Sequence, residues 1–228
     1  MNCKVMYEDE DIIVILKPAG FPTQTARIGE SDCVSELKNY LAGAKEPYVG
    51  VTHRLDQPVE GILVFAKNKK AAASLSAQSA SKEMDKRYLA LTEGVTEPAA
   101  GKIENYLKRD GRTNMSRITR PDEPGAKRAV LEYKTLKVSR DGSEALLEIR
   151  LETGRHHQIR VQMAGAGHPL LGDRKYGKEP GYTRGPLALC AYKLGFHHPR
   201  DGKWRQYETE PSWLAAYRPG SVKDIGKE

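Results

Sequence analysis

The stretch His53-Arg54-Leu55-Asp56 is followed, after four residues, by the apolar run Gly61-Ile62-Leu63-Val64-Phe65-Ala66-Lys67. This run predicts a buried β-strand. Asp56 therefore stands between a basic residue and a rigid strand, where a carboxylate can face a cavity. A second cluster, Gly154-Arg155-His156-His157-Gln158-Ile159-Arg160, supplies cations and amides that could complete a site around the acid. Together the two stretches predict an enzyme with one essential carboxylate and a polyanionic substrate.

The composition is that of a soluble globular protein, with 228 residues of which 39% are hydrophobic and 29% charged. One compact catalytic domain is the simplest organisation for this length. We expect it to span residues 1–218, followed by a flexible tail at 219–228. No apolar run is long enough to span a bilayer, and the first residues lack the features of a signal peptide. We therefore expect no membrane association.

The three cysteines are far apart in sequence and form no CxxC pair. This spacing favours a reducing cytoplasm over a disulfide framework or a structural zinc site. The formal net charge is +7. Between positions 150 and 205, eleven Lys and Arg face four Asp and Glu. Such a basic region attracts phosphate backbones, although a solvated, solubilising surface has the same composition.

The apolar pattern predicts an α+β fold, a mixed and mainly antiparallel β-sheet with flanking helices and loops. We expect strands at 12–16, 61–65, 88–92, 130–138, 145–151 and 187–191. We expect helices from a Ser31-Asp32 cap through Leu41, and at 69–82, 155–164 and 212–217. Residues 102–127 are polar and rich in turn formers, which predicts long exposed hairpin loops.

Four blocks of the chain resemble the RluA-type pseudouridine synthases, which isomerise uridine in structured RNA. The resemblance is specific because the blocks recur in the same order and at similar intervals over most of the chain. It implies the pseudouridine synthase fold. The blocks are Tyr7-Glu8-Asp9-Glu10 with Lys17-Pro18-Ala19-Gly20; His53-Arg54-Leu55-Asp56 with Gly61 to Lys67; Lys86-Arg87-Tyr88-Leu89-Ala90; and Thr153-Gly154-Arg155 with His157 to Val161, Gly167-His168-Pro169, Gly172-Asp173 and Tyr176-Gly177.

The resemblance also implies roles for single residues. Asp56 is expected to be the catalytic carboxylate, as nucleophile or base beside the sugar, and Arg160 to keep it ionised. Tyr88 is expected to stack on the uracil and to help move the proton released from the ring. Arg54 is expected to fill the space that the extruded base leaves. Arg155 could assist Arg160 or hold phosphate, and the other residues expected to contact RNA are His53, His157 and Gln158.

The reaction breaks a carbon–nitrogen glycosidic bond, turns the base and forms a carbon–carbon bond to the same sugar. We therefore expect no cofactor and no metal, and His156-His157 is interpreted as RNA-facing or structural. The expected partner is ribosomal or transfer RNA. We further expect a cytoplasmic monomer with no obligate protein partner and no separate N-terminal RNA-binding domain.

Several alternatives stay open from the sequence. A non-catalytic RNA-binding or RNA-folding module would share the charge but lack the chemistry, whereas an enzyme that hydrolyses a nucleoside or a glycoside would be expected to have paired carboxylates. The chain also departs from the family pattern at Val59-Glu60, His156 and Gln162. A further group of basic residues could bind RNA from a mobile hairpin or belong to a solvated loop. These residues are Lys108, Arg109, Arg112, Arg117 and Arg120.

Overall fold

The computed structural model describes residues 1–25, 29–43, 47–177 and 185–215, together with the backbone of 223–224. The chain divides into two compact units. Unit 1 comprises Met1–Lys86 and Ala191–Glu210, and unit 2 comprises Arg87–Cys190 and Pro211–Glu228. In the described ranges, no helix has the length and apolar character needed to cross a membrane.

The described residues form strands, three α-helices and one 3-10 helix at Ser212–Ala215. The strands are β1 (Lys4–Glu8), β2 (Ile12–Lys17), β3 (Gly50–Val51), β4 (Glu60–Ala66), β5 (Asp85–Glu93), β6 (Ala100–Asp110), β7 (Met115–Thr119), β8 (Lys127–Val138), β9 (Glu144–Leu151), β10 (Leu189–His197), β11 (Trp204–Glu208) and β12 (Lys223–Asp224). The helices are α1 (Cys33–Tyr40), α2 (Lys69–Ser81) and α3 (Gln158–Gly165).

Unit 1 contains strands in the order β1-β2-β4-β10, with β3 beside β4 and β11 beside β10. The antiparallel register of β2 on β4 runs from Ile12 opposite Ala66 to Lys17 opposite Gly61. Alternate residues of the two strands form one core cluster with Ala71 of α2 and other apolar side chains. The predicted strands at 12–16 and 61–65 are therefore confirmed as the centre of this unit.

Both helices of unit 1 begin at side chains that cap their free backbone amides. Asp32 accepts a hydrogen bond from Ser35 N, and Ser35 Oγ accepts one from Asp32 N, which forms a capping box at the start of α1. Asn68 accepts from Ala71 N at the start of α2. Helix α2 ends where Lys82 adopts a left-handed conformation with φ +65°. The predicted helices at these places are confirmed.

Unit 2 contains strands in the order β5-β9-β8-β6-β7, with β12 paired to β8. The pairing of β8 with β9 confirms the predicted hairpin with Asp141-Gly142 at its turn. Helix α3 contacts β6 and β7, and its Val161 packs in a small core cluster with Leu107 and Ala129. With helices and an extended sheet in one chain, the α+β prediction is confirmed.

The prediction of loops at 102–127 is wrong, because β6 and β7 form an antiparallel hairpin there. Exposed residues alternate with partly buried ones in the first half of β6, and an ion pair of Glu104 on β6 with Arg128 on β8 compensates part of the charge. Other boundaries move: α3 starts at Gln158 rather than 155, and the predicted strand at 187–191 starts at Leu189 and extends to His197. Positions 216–217 and the predicted tail lie outside the described residues, apart from β12.

Candidate active site

Asp56 lies between β3 and β4 in unit 1, and its side chain is partly buried. The backbone on both sides of it is held by the loop after β2. Thr23 Oγ1 donates to the carbonyl of Leu55 (2.9 Å) and accepts from the Leu55 amide (3.2 Å). Gly20 N donates to the carbonyl of Gln57 (2.9 Å), and Gln57 Nε2 donates to the carbonyl of Gly20 (3.0 Å). Hydrogen bonds to the preceding residue, Leu55, and to the following residue, Gln57, therefore fix the backbone position of Asp56.

Lys17, the last residue of β2, is fully buried. Its Nζ donates to the carbonyl oxygens of Pro18 (3.0 Å), Phe21 (2.6 Å) and Gln57 (3.1 Å). Three acceptors match the three N–H bonds of an ammonium group. Burial lowers the pKa of Lys17 to about 8. One buried cation thus connects the end of β2 to the residue directly after Asp56.

Gly61 fixes the start of the strand that follows Asp56. Its φ of +139° lies where side chains are rarely found. A Cβ at this position would lie 2.5 Å from the carbonyl oxygen of Ala191. The two backbones can approach this closely only because position 61 has no side chain.

His53 and Arg54 differ in their surroundings although they are neighbours. His53 Nδ1 is enclosed and has no hydrogen-bond partner among the described residues. Burial, with a smaller contribution from the charge of Lys86, lowers the pKa of His53 to about 3. His53 is therefore a neutral imidazole at physiological pH and offers no charge to phosphate. Arg54 is exposed and can do so.

Arg160 of α3 and Asp173 form a buried, bidentate ion pair in unit 2. Arg160 Nε donates to Asp173 Oδ2 (2.8 Å) and Nη2 donates to Oδ1 (2.6 Å). Asp173 Oδ1 also accepts from the amides of Lys175 (2.9 Å) and Tyr176 (3.2 Å). The guanidinium lies 5.1 Å from the centre of the Tyr176 ring. The predicted cation is thus held rigidly by an acid to which the sequence prediction gave no role.

Tyr176 connects this pair to His157, another predicted site residue. Its hydroxyl accepts from Ser116 N (2.7 Å) and lies 2.8 Å from His157 Nδ1. Burial, followed by the charge of Arg160, lowers the pKa of His157 to about 2. A neutral His157 can accept the hydroxyl proton of Tyr176 at Nδ1. His157 is therefore part of a buried polar network and not a cation at the surface.

Gln158 and Arg155 are joined by the start of α3. Gln158 Oε1 accepts from Thr153 Oγ1 (2.8 Å) and from the Arg155 amide (3.0 Å), while Nε2 donates to the carbonyl of Val130 (3.0 Å). This buried amide stabilises the turn before α3. Arg155 is exposed, and its Nε donates to the carbonyl of Arg128 (2.8 Å). The rest of its guanidinium faces outward from an anchored position.

Tyr88 lies on β5 opposite Ile149 of β9 and is 9% exposed. Three of the four positions that depart from the family pattern are also enclosed: Val59, Glu60 and Gln162 are buried, whereas His156 is half-buried. Gln162 Nε2 donates to the side chain of Asn105 (3.0 Å). These three departures therefore change the interior rather than the surface that meets a substrate.

The structure places the predicted residues in two groups, each within one unit. Unit 1 carries Asp56, His53 and Arg54, and unit 2 carries the others. Sequence reasoning gave no role to Lys17, Thr23, Asp173 or Tyr176. A signal existed for Lys17, because a lysine that directly ends an apolar run occupies a strand position where burial is expected.

Among the described residues, Asp9, Asp11 and His198 have metal-ligand geometry, with one atom of each within 4.8 Å of the others. These side chains already have protein partners. Asp9 Oδ2 accepts from Tyr7 OH (2.9 Å) and lies 2.8 Å from His198 Nε2, and Asp11 Oδ2 accepts from Arg200 Nε (2.5 Å). The group is explained as a hydrogen-bonded anchor of the β1–β2 turn.

The chain is similar to known RNA pseudouridine synthases. A family model described as RNA pseudouridylate synthase matches residues 11–165. An uncharacterized RNA pseudouridine synthase of Aquifex aeolicus (strain VF5) is 34% identical in an alignment of 238 residues, which covers 94% of this chain and 74% of that protein. Ribosomal large subunit pseudouridine synthase D of Zymomonas mobilis is 34% identical in an alignment of 226 residues, which covers 91% of this chain and 68% of that protein.

Two solved structures share the fold. Human RNA pseudouridylate synthase domain containing 1 has a TM-score of 0.79 at 23% identity and covers 100% of this chain and 91% of its own. Human RNA pseudouridylate synthase domain containing 4 has a TM-score of 0.78 at 24% identity, and the match covers 98% of this chain and 95% of that chain. The expected pseudouridine synthase fold is thereby confirmed. The chain belongs to the RluA-type RNA pseudouridine synthases, enzymes that isomerise uridine to pseudouridine in RNA.

Proposed function

We propose that Asp56 is the catalytic carboxylate of this enzyme. The observation that carries the proposal is the fixation of Asp56 from both sides, by Thr23 on Leu55 and by Lys17 and Gly20 on Gln57. A catalytic group must be held within a fraction of an ångström of its reacting partner. An acid that only capped a turn would not need such support.

In this proposal Asp56 acts beside the ribose of the target uridine, as nucleophile or as base. The glycosidic bond from the sugar to the base nitrogen breaks, and a bond from the same sugar to a ring carbon forms. A proton leaves that carbon and one is returned to the nitrogen, so atoms and charge balance without an external reactant. Tyr88 and Arg160 keep the roles that the family resemblance implies, as predictions to be tested by substitution.

We further propose ribosomal RNA of the large subunit as the substrate, with transfer RNA as the alternative. The support is indirect: several relatives are named ribosomal large subunit pseudouridine synthase D, including those of Zymomonas mobilis and Vibrio cholerae. The exposed Arg54 and Arg155 are the cations proposed to meet the RNA backbone. We also propose that the enzyme is a cytoplasmic monomer.

The test of Asp56 is the Asp56→Asn variant, assayed for pseudouridine formation in RNA from cells that lack this gene. We expect RNA binding to persist and product formation to be lost. Asp11→Asn is the matched control, because Asp11 is also a partly buried acid of unit 1 but is bonded to Arg200 and Asn68. Product at the wild-type rate with Asp56→Asn would refute the assignment.

The substrate is tested by mapping pseudouridines in RNA from cells with and without the gene. Loss of one or more sites in large-subunit ribosomal RNA is the expected result. Loss confined to transfer RNA would refute the ribosomal proposal while leaving the role of Asp56 intact.

A further inference from the structure

We propose that Lys17 is a positioning residue for pseudouridine formation, which acts by fixing the backbone that carries Asp56. The inference rests on the proposed catalytic role of Asp56 and adds a residue to that site. No part of the sequence-based prediction gave Lys17 a role in the reaction.

The first support is the geometry of the ammonium group. Two of its carbonyl acceptors, Pro18 and Phe21, belong to the loop after β2, and the third belongs to Gln57. Lys17 therefore connects this loop, through hydrogen bonds, to the residue adjacent to Asp56. Three carbonyl oxygens converge on one cation, so its removal would take one donor from each of them; the Gln57 carbonyl would keep only its bond from Gly20 N.

The second support is the charge around Lys17. Its ammonium is 0% exposed, and such a charge is costly to bury unless it is paired and hydrogen-bonded. The carboxylates of Asp56 and Glu60, and the thiols of Cys33 and Cys3 when they are ionised, oppose the effect of burial on the pKa of Lys17. The carboxylate of Asp56 and this ammonium therefore stabilise each other's charged forms. Lys17 both holds the backbone of Asp56 and favours the ionised acid that the reaction needs.

The two thiols in this set form a pair of their own. Cys3 and Cys33 lie with their Sγ atoms 3.3 Å apart. The hydrogen bond between them raises the pKa of Cys3 and lowers that of Cys33. Cys3 is thus the donor and stays protonated. Cys33 and Lys17 are therefore the groups near this loop whose charge changes toward the alkaline range. Of the two, only the Lys17 ammonium donates to the carbonyls of the loop and of Gln57, and it loses one of its three donors on deprotonation.

A lysine that served only the stability of unit 1 would make a different prediction. Its loss would lower the folded fraction, and the folded enzyme would turn over normally. A positioning residue lowers kcat of the folded enzyme while KM for RNA stays the same, because the contacts with RNA are unchanged. The two possibilities are separated by measuring both constants together with the folded fraction.

The experiment compares Lys17→Met with Lys67→Met in single-turnover and steady-state assays, using RNA from cells that lack the gene. Lys67 is the matched control, since it is likewise a lysine of unit 1 with little exposure, but its Nζ binds Glu8 and the carbonyl of Asp9. We expect Lys17→Met to lower kcat per folded molecule on the order of 100-fold, with KM within about twofold of the wild type. We expect Lys67→Met to keep the wild-type kcat per folded molecule.

The pH profile supplies a second readout. The wild-type kcat is expected to fall above about pH 8, and this fall is expected to be absent from Lys17→Met. The pKa of Lys86 is also lowered to about 8 by burial, and Lys86 donates to Ser79 rather than to the Asp56 loop. The fall is therefore expected to persist in Lys86→Met. If it disappears there, the alkaline limb does not belong to Lys17 and this part of the inference is wrong.

Thr23→Val covers the case in which Lys17→Met does not fold. It removes the hydroxyl that holds Leu55 on the other side of Asp56 and is expected to lower kcat in the same way, with Thr23→Ser restoring it. A wild-type kcat in folded Lys17→Met, or in Thr23→Val if only that variant folds, overturns the inference. The catalytic role of Asp56 is tested independently by Asp56→Asn. If that variant is inactive, the proposed function stands even when the inference on Lys17 fails; if it is active, the proposed function fails as well.

Discussion

Arg160 and Asp173 form two charge-assisted hydrogen bonds of 2.8 and 2.6 Å in the interior of unit 2, where their side chains are 4% and 0% exposed. Taking two charges out of water is costly, and the pair is stable only because the geometry is bidentate and the acid has further amide donors. Removing one partner therefore has a larger effect than removing both.

We expect Asp173→Asn to lower the free energy of unfolding by about 3–5 kcal/mol, because it leaves the buried guanidinium without its counter-charge. The double variant Arg160→Met/Asp173→Leu is expected to recover most of this stability without recovering pseudouridine formation. Urea unfolding measures the first effect and product assays measure the second. A loss below about 1 kcal/mol in Asp173→Asn, the range of exposed pairs, would show that the pair is solvated.

Gly61→Ala is expected to destabilise the protein by about 3 kcal/mol or more, because a Cβ would meet the Ala191 carbonyl oxygen and the φ is strained. Gly111→Ala is the control: it is an exposed turn position where a Cβ meets nothing within 4 Å. We expect it to change stability by less than about 0.5 kcal/mol. Equal effects at the two positions would contradict the close approach of the strands.

Acid is expected to destabilise the fold through His53 and His157. Both pKa values are lowered in the folded state, to about 3 and about 2, so the unfolded chain binds protons that the folded chain does not. Stability is therefore full above the ordinary histidine pKa of about 6.5 and is lost as the pH falls below it. The loss is expected to reach about 1.4 kcal/mol per pH unit for each histidine.

Urea unfolding at several pH values between 7 and 4 measures this slope. His157→Asn is expected to reduce it, because asparagine tolerates the left-handed backbone (φ +54°) and carries no titrating group. Imidazole signals in NMR spectra that titrate near pH 6.5 for both residues would contradict their burial.

RNA binding is expected to depend less steeply on salt in Arg54→Gln than in the wild type. Each lost phosphate contact reduces the slope of log K against log salt by about 0.7–0.9. Arg128→Gln is the control, because Arg128 is also exposed but already forms a bidentate pair with Glu104. An unchanged slope in Arg54→Gln would show that Arg54 does not meet the RNA backbone.

Tyr88→Phe is expected to keep RNA affinity and to lower kcat by a factor of about 10²–10⁴, the range of a lost proton-transfer group. Tyr133→Phe, which loses a hydroxyl bonded to the carbonyl of Pro98, is the control and is expected to leave kcat unchanged. Full activity in Tyr88→Phe would limit Tyr88 to a packing role.

The parts of the fold that were predicted correctly are those with a strong local signal. The β2 and β4 runs are apolar on both faces, and the caps Asp32 and Asn68 define helix starts. The β6–β7 hairpin was missed because one-sided burial gives β6 a polar sequence, part of whose charge is compensated by an ion pair with β8. Its pairing is decided by partners distant in the chain, which local pattern does not contain.

The same distinction applies to the candidate site. Asp56, Arg54 and Arg160 stand in motifs that the sequence makes visible. Lys17 and Asp173 stand in such blocks as well, but their supporting roles are not visible there, because the contacts of Lys17 with Gln57 and of Arg160 with Asp173 join residues 40 and 13 positions apart. The neutral state of His157 depends likewise on burial, which its position in a basic cluster concealed.

The opposite surroundings of His53 and Arg54 have an evolutionary consequence. Given the proposed contact of Arg54 with RNA, substitutions at this outward residue would alter which RNAs are accepted without disturbing the enclosed His53 or the loop next to it. A lineage can therefore change its targets by small surface steps while it inherits the reaction chemistry intact.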